Sequence, residues 1–377
     1  MKTYHRHLEK ELKSLFFKGK ALILIGARQV GKTTLLKSLS QKKKDILWID
    51  ADLHEVRKRL DEPSLESLKK MIGTYKFVII DEIQRVRNAG LLLKILVDNF
   101  KGVQFIATGS SSLEISEFVF EPLTGRQFLF HLFPFAMSEI YSKKSPFEVE
   151  QKLPFHLIYG SYPEVSLNPV LAEKLLINLS QQYLYRDVLI WKDIRKPELL
   201  DKLLRLLAYQ VGSEVSLNEL AKQLKVKQTT VDTYIDLLEK SFVIFRMNSY
   251  VSNFRKEVSK MGKIYFWDNG IRNSVIGDFR DISLRNDLGA LFENFIISER
   301  LKMNSWFRPQ VKSYFWRNYN QSEVDLVEVK SGKLFAYEIK WNTRKKQYVS
   351  KAFTNMYPDA HTQVINPDSF YDFLFER

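Results

Sequence analysis

The sequence predicts an α/β protein: a parallel sheet wrapped by helices at the front of the chain, a helical middle, and a second, smaller α/β unit at the end. Three observations carry this. Short apolar runs (Ala21 to Ile25, Ile46 to Ala51, Lys76 to Asp81, Val103 to Thr108 and a fifth after Arg126) alternate with helical stretches, as strands of a parallel sheet do. From 170 to 212 the residues are Leu-rich with charged faces and lack glycine until Gly212, which reads as helices. Beyond Ser322 the pattern alternates with period two, as in a half-buried hairpin.

The 377 residues, 45% of them hydrophobic, give room for two or three folded domains. We place boundaries at 1–140, 141–200, 201–262 and 263–377. With no cysteine, disulfides and thiolate metal sites are excluded, and the six histidines have no zinc spacing, so any metal is held by oxygen. The longest apolar runs are far short of a membrane span, and the opening MKTYHRHLEK has no apolar signal core, so a cytoplasmic protein with no membrane partner is expected. A net charge of +14 permits attraction to nucleic acid, but the basic clusters (Lys42 to Lys44, Lys143 and Lys144, Arg344 to Lys346) are spread out, and a solvated lysine-rich surface explains the charge equally well.

The first strand runs into GARQVGKTT, comprising Gly26, Ala27, Arg28, Gln29, Val30, Gly31, Lys32, Thr33 and Thr34. This matches G-x-x-x-x-G-K-[ST], the phosphate-cradling P-loop, in the strand, loop, helix context the motif requires. Gly26 and Gly31 let backbone N–H groups curl round a phosphate, Lys32 supplies a point charge, Thr33 offers a hydroxyl to magnesium, and the helix N-terminus adds its positive dipole end.

The third strand, KFVIIDE, ends in two acids. Asp81 can hold magnesium through water opposite Thr33, and Glu82 can orient and polarise an attacking water. An acid pair after an apolar run is common alone, and specific after a P-loop. The fourth strand leads into GSSS, where Thr108 or Ser110 can touch the γ-phosphate; a cap for a helix beginning near Ser112 is the bland alternative. Arg126 precedes the fifth strand in a Thr-Gly-Arg turn. It is suited to spreading phosphate charge in the transition state, from a neighbouring subunit, or is simply a surface residue of a turn.

The loop GARQVGKTT, the strand FVIIDEIQ, the tip ATGSSS, the TGR turn and the later GSYPEV resemble the predicted AAA+ ATPases of bacteria and archaea that carry a C-terminal domain of unknown function. The resemblance covers nearly the whole chain and implies a five-stranded AAA+ ATPase core, with Arg126 in the place of an arginine finger. Related ATPases set a Gly-x-Pro segment against adenine; Ser161 stands where that glycine would be, in Ser161-Tyr162-Pro163, which puts an adenine role for Pro163 in doubt.

Ser216 to Met247 reads as two helices and a β-rich end. Ser216 caps the first, which turns Leu217, Leu220, Ala221 and Leu224 inward; the second buries Val231, Tyr234, Ile235 and Leu238; FVIFRM closes a winged helix-turn-helix. If it reads DNA, Lys227, Gln228, Thr229, Thr230 and Thr233 make the contacts, while Asp232, Asp236 and Glu239 on the same helix are expected to repel phosphate. Winged helices also serve as packing and oligomerisation modules.

Ser322 to Trp341 predicts a hairpin turning at Ser331 and Gly332. That register sets Asp325 opposite Glu338 and Glu323 opposite Lys340 on one face, with Val324 opposite Ile339 and Leu326 opposite Tyr337 on the core face. Two directly opposed carboxylates, with Cβ atoms about 5 Å apart, repel unless a positive group lies between them, and a divalent metal, magnesium or manganese, fits. Glu338 and Lys340 form E-x-K, which puts the lysine on the metal face. A second E-x-K, Glu328 to Lys330, is out of phase with Asp325 and is rejected. The arrangement resembles restriction-endonuclease-like D…(D/E)-x-K nucleases, and Glu293 aligns with the helical acid of that family better than Glu299 does. Cross-strand salt bridges, such as Glu323 with Lys340, are the structural alternative.

The expected protein is thus a magnesium-dependent AAA+ ATPase using ATP, with Lys32, Thr33, Asp81, Glu82, Thr108 and Arg126 as its catalytic set, a homo-oligomer if Arg126 acts in trans, and DNA as its partner. The competing expectation is a nucleotide-dependent regulatory switch whose later domains are protein-interaction scaffolds without nuclease activity.

Overall fold

A computed structural model describes residues 4–41, 45–110, 123–186, 197–250, 262–343 and 348–375. The chain divides into two compact units: one runs to Pro134 and takes in Lys240–Phe242, and the other holds the remainder. Three expectations, the basic clusters at 42–44 and 344–346 and the helix cap near Ser112, fall outside the described residues.

In the first unit, helix α1 (Leu8–Ser14) leads to β1 (Ala21–Ile25), α2 (Lys32–Ser40), β2 (Ile46–Asp50), α3 (His54–Asp61), α4 (Leu65–Ile72), β3 (Phe77–Asp81), α5 (Ala89–Asn99), β4 (Gln104–Gly109) and β5 (Gln127–His131). The five strands form one sheet in the order β2-β3-β4-β1-β5. Every pairing is parallel, for example Leu22 with Ile106, Leu22 with Phe128, and Ile79 with Ile106. Each strand lies within one residue of its expected limits. The continuous apolar runs have the cause anticipated: β1 and β4 are buried at every position, whereas the edge strands β2 and β5 are mostly half-buried. Because the strands are parallel, the loop after β1, the acid at the end of β3 and the tip of β4 emerge at one edge of the sheet.

The second unit contains α6 (Ala172–Arg186), α7 (Pro197–Tyr209), α8 (Leu217–Leu224), α9 (Gln228–Lys240), β6 (Ile244–Met247), β7 (Lys263–Phe266), α10 (Asn269–Ile276), α11 (Leu288–Phe307), β8 (Lys312–Arg317), β9 (Glu323–Lys330), β10 (Lys333–Ile339) and β11 (His361–Ile365). The Ser216 hydroxyl caps α8 by accepting from Glu219 N at 3.3 Å, as its position before an apolar stripe requires. Val231, Tyr234, Ile235 and Leu238 are buried on α9. β6 and β7 make an antiparallel pair. The last four strands form a sheet in the order β11-β10-β9-β8, with β11 parallel to β10 and the other pairs antiparallel. The hairpin register is the one expected, with Leu326 opposite Tyr337.

One expectation about that sheet is corrected. Only one face of the hairpin was expected to meet the core, yet β9 is buried from Val324 to Glu328, so both faces are covered. On one side Val327 and Ala336 pack in a cluster with Trp316 and Phe353. On the other, Arg300 of α11 grips Glu328 with two hydrogen bonds of 2.9 and 2.8 Å, and Tyr337 lies against Phe373. Period-two alternation survives two-sided burial because the acid buried on this second face, Glu328, has Arg300 for a partner.

The GSYPEV stretch is held by buried polar groups. His156 Nδ1 lies 2.8 Å from Ser161 Oγ and its Nε2 2.9 Å from Tyr141 Oη, while Asp268 accepts Ser161 N at 2.7 Å. A Cβ on Gly160 would come within 2.0 Å of the Asp268 carboxylate, at a φ of +66 that already favours glycine. Pro163 opens a short helix, Pro163–Leu167. Among the described residues, no helix is long and apolar enough to cross a membrane.

Burial pushes the His156 imidazole down to about 3. The unfolded chain therefore takes the proton first. The stability contributed by a neutral His156 is full above about pH 6.5 and is lost as pH falls toward 3. Thermal melts at about pH 7.5 and about pH 4.5 should show a fall in Tm that is shallower in His156→Gln, which has no proton to gain. Parallel falls in the two proteins would contradict this.

Candidate functional site

The loop between β1 and α2 is closed by its own lysine. Lys32 Nζ, on a side chain that is almost entirely buried, donates to the carbonyls of Gly26 at 2.8 Å and Ala27 at 2.9 Å. Gly31, at a φ of +95, takes the left-handed turn that starts α2. At Gly26 the reason for glycine is close approach, since a Cβ would sit 2.0 Å from the Leu132 carbonyl oxygen. The N-terminus of α2 starts at this loop, and the positive end of a helix suits an anion. These residues fit a nucleotide phosphate chain: a buried ammonium, a backbone with room for no side chain at Gly26, and a helix start.

Arg6 was not singled out in the sequence. Buried, it donates through Nη1 to Val30 O at 2.8 Å and through Nη2 to Phe133 O at 2.7 Å, clasping the loop to the segment after β5. A lone arginine in a charged opening segment gives no signal of this, because its partners are backbone carbonyls 24 and 127 residues away.

Across the sheet edge, Thr33 Oγ1 donates to Asp81 Oδ2 at 3.1 Å. The Thr108 hydroxyl donates to Asp81 Oδ1 and accepts from Glu82 N at 3.2 Å. Thr108 is wholly buried, so its hydroxyl holds the two acids in place, and Ser110, two residues further along the tip, is itself buried. Glu82 takes a left-handed backbone (φ 54, ψ 44), unusual outside glycine and asparagine and costly by about 1 kcal/mol. Its carboxylate is bonded by Gln84 Nε2, which also reaches Ser110 Oγ at 2.9 Å.

Arg126 lies at the opposite end of β1, where Ala21 N donates to its carbonyl at 2.9 Å. Four residue steps of strand, about 13 Å, separate that edge from the loop. The guanidinium pairs with Asp98 Oδ1 at 2.7 Å, and this hydrogen bond draws the Asp98 carboxyl below its ordinary range.

On α9, Gln228, Thr229 and Thr233 are exposed beside Lys227, and Thr230 is partly so. Thr233 Oγ1 donates to Thr229 O at 2.8 Å. Asp232, Asp236 and Glu239 do not stand as bare negative charges, because all three surround Arg246 of β6, at 3.1 Å for Asp232 Oδ1 and 2.5 Å for Glu239 Oε2.

Glu293, Asp325, Glu338 and Lys340, far apart in sequence, come together. Lys340 Nζ sits 3.1 Å from Asp325 Oδ2 and 2.7 Å from Glu338 Oε1, and Ile339 N donates to Asp325 Oδ2 at 2.7 Å. Burial and then the Asp325 charge push Glu293 up to about 7; the same two causes, opposed by Lys340, push Glu338 up to about 7. Glu299 lies elsewhere, buried against Lys302 at 2.6 Å and Met137 N at 2.7 Å. Glu323 was expected opposite Lys340 and instead pairs with Lys263, a buried lysine of β7 that also meets Glu293 Oε1 at 3.1 Å. Lys263 was missed because its sequence surroundings resemble an ordinary strand; burial alone would lower its pKa, but Glu293, Asp325 and Glu323 together raise it above the ordinary range. Among the described residues no group of three or more His, Asp or Glu is placed to hold a metal ion, and the positive group between Asp325 and Glu338 is the Lys340 ammonium. One buried acceptor of the cluster, Glu338 Oε2, has no hydrogen-bond partner among the described residues.

If Gly26 is glycine because of Leu132, Gly26→Ala should lower Tm and remove the rise in Tm expected of the wild type with ATP and magnesium. An unchanged ligand-induced rise would contradict the packing argument.

Comparison with known proteins finds three family matches along the chain. Residues 18–141 match the AAA domain family, while residues 150–281 and 288–371 match two domains of unknown function, DUF8612 and DUF4143. An uncharacterized protein of Mycobacterium tuberculosis is 27% identical over 340 residues, covering 89% of this chain and 73% of its own length. Another, from Methanocaldococcus jannaschii, is 26% identical over 339 residues, covering 76% of this chain and 69% of its own. Among solved structures, a Walker-type ATPase of Pyrococcus abyssi superposes with a TM-score of 0.50 at 17% identity, over 73% of this chain and 96% of that one, a likeness of fold. The family match and the shared fold support an AAA-type P-loop ATPase domain in the first unit.

Proposed function

We propose that this chain is a magnesium-dependent ATPase that works on or bound to DNA. The observation that carries the hydrolytic part is the hydrogen bond of 3.1 Å from Thr33 to Asp81, which joins the P-loop to the acidic strand end. Lys32 and the backbone from Gly26 to Thr34 would hold the phosphates, and Thr33 with Asp81 would hold magnesium. Bound magnesium supplies positive charge to the phosphate oxygens. Glu82 polarises the attacking water, Thr108 keeps both acids oriented, and Arg126, too far from its own loop, serves a neighbouring copy. Lys32→Ala should lower ATP hydrolysis by at least about 100-fold, measured as phosphate release; retained turnover in that variant would end the assignment.

Residues 141–200 we assign to a helical connector, 201–262 to a winged helix and 263–377 to a restriction-endonuclease-like domain. The DNA part rests on the exposed Lys227, Gln228, Thr229 and Thr233 with Thr230, while Arg246 offsets one of the three negative charges of Asp232, Asp236 and Glu239 and so reduces their repulsion of phosphate without removing it. A metal-dependent nuclease activity is favoured by the convergence of Glu293, Asp325, Glu338 and Lys340; the carboxylates as they stand make no metal centre, so no chemical step is assigned to a second magnesium or manganese there. Asp325→Ala should abolish any magnesium- or manganese-dependent DNA cleavage while leaving ATP hydrolysis intact. A wild type that cleaves no DNA or RNA and shows no salt-sensitive DNA binding would favour the other class, a nucleotide-dependent switch whose later domains are protein scaffolds.

A further inference from the structure

Gln84 has a part in the nucleotide site that the motif does not include. It sits in the short turn Ile83–Arg85 directly after Glu82, whose left-handed backbone reverses the chain and brings the two side chains together. Its Nε2 donates both to Glu82 Oε2 and, at 2.9 Å, to Ser110 Oγ at the tip of β4. Those two bonds use both amide hydrogens and fix the orientation of the side chain, because an inverted amide would set its oxygen against the carboxylate. The fixed amide leaves Gln84 Oε1 buried, with no hydrogen-bond partner among the described residues. A buried amide oxygen without a donor is destabilising, so the arrangement calls for a ligand that donates. Packing does not require it, since a methionine would fill nearly the same volume with no polar atom to satisfy.

We propose that Gln84 positions the hydrolytic water together with Glu82, an inference that rests on the ATPase reading of this site. A water that gives one hydrogen to the Glu82 carboxylate and the other to Gln84 Oε1 has its orientation fixed, with a lone pair directed away from both acceptors. In the reaction, the water oxygen forms a bond to the terminal phosphorus. The bond from that phosphorus to the bridging oxygen breaks, and its electron pair leaves with the diphosphate. One water proton passes to Glu82. Gln84 stays neutral throughout, donating to Glu82 and Ser110 and accepting from the water. Through Ser110 the amide is also tied to the tip of the strand next to the P-loop strand, so its aim depends on the position of that tip.

The test is steady-state ATP hydrolysis by the full chain with magnesium. Gln84→Ala and Gln84→Met should each lose about 10–100-fold in kcat while KM for ATP stays within about threefold, because Gln84 orients water and does not hold nucleotide. Ser110→Ala should lower kcat less, and should lower it no further when added to Gln84→Met, whose partner atom is already gone. Recovery of wild-type kcat in Gln84→Met would reduce Gln84 to a space-filling role and overturn the proposal. So would a loss confined to KM, or unchanged kcat in both variants alongside an active wild type. A wild type that hydrolyses no ATP, with Lys32→Ala indistinguishable from it, would instead remove the ATPase reading and take this inference with it.

Discussion

Thr33, Asp81 and Thr108 form one chain of hydrogen bonds across the edge of the sheet, and the nucleotide site depends on it. The three residues come from the helix after β1, the end of β3 and the end of β4. Parallel pairing places those ends side by side, and the hydrogen bonds convert the rough alignment into a fixed one. Each carboxylate oxygen of Asp81 has a hydroxyl on it, so the side chain has no freedom to turn away. Glu82 inherits this order, since its amide donates to Thr108 and its backbone is held in a left-handed turn. The strain of that turn is tolerable because the sheet edge and Gln84 over-determine it.

The second unit uses the opposite strategy, placing charges inside and setting a cation against them. Glu328 meets Arg300, Glu299 meets Lys302, and Glu293 and Glu323 meet Lys263. Removing one partner of such a pair leaves an uncompensated buried charge and costs several kcal/mol. In the cluster around Asp325 the acids outnumber nearby cations, and burial first, then the Asp325 charge, makes Glu293 and Glu338 resist ionisation. Retained buried acidity of this kind is more common at functional sites than in ordinary cores.

What was legible in the sequence was local. The three central strands could be read because strands buried on both faces must be apolar throughout, and GARQVGKTT because its glycines and lysine act within nine consecutive residues. The hairpin register followed from a two-residue turn and was correct. Partners chosen by packing across long separations were not legible. Arg6 finds carbonyls at Val30 and Phe133, Lys263 finds Glu293 and Glu323, and Arg246 gathers three acids of α9. The alternation of β9 suggested one dry face, whereas helices cover both, and nothing in a strand's own pattern distinguishes a solvated acid from one buried against Arg300. Gln84 escaped notice because glutamine two residues after an acid pair has no fixed meaning until the tip of β4 is placed beside it.

The central claim is that Asp81 and Glu82 divide the work, one holding magnesium and the other activating water, and Glu82→Gln tests it most directly. The substitution preserves shape and removes the base, so ATP with magnesium should bind with an affinity within a few-fold of wild type while phosphate release falls by at least about 100-fold. Turnover close to wild type in Glu82→Gln, or loss of ATP binding along with it, would contradict the account.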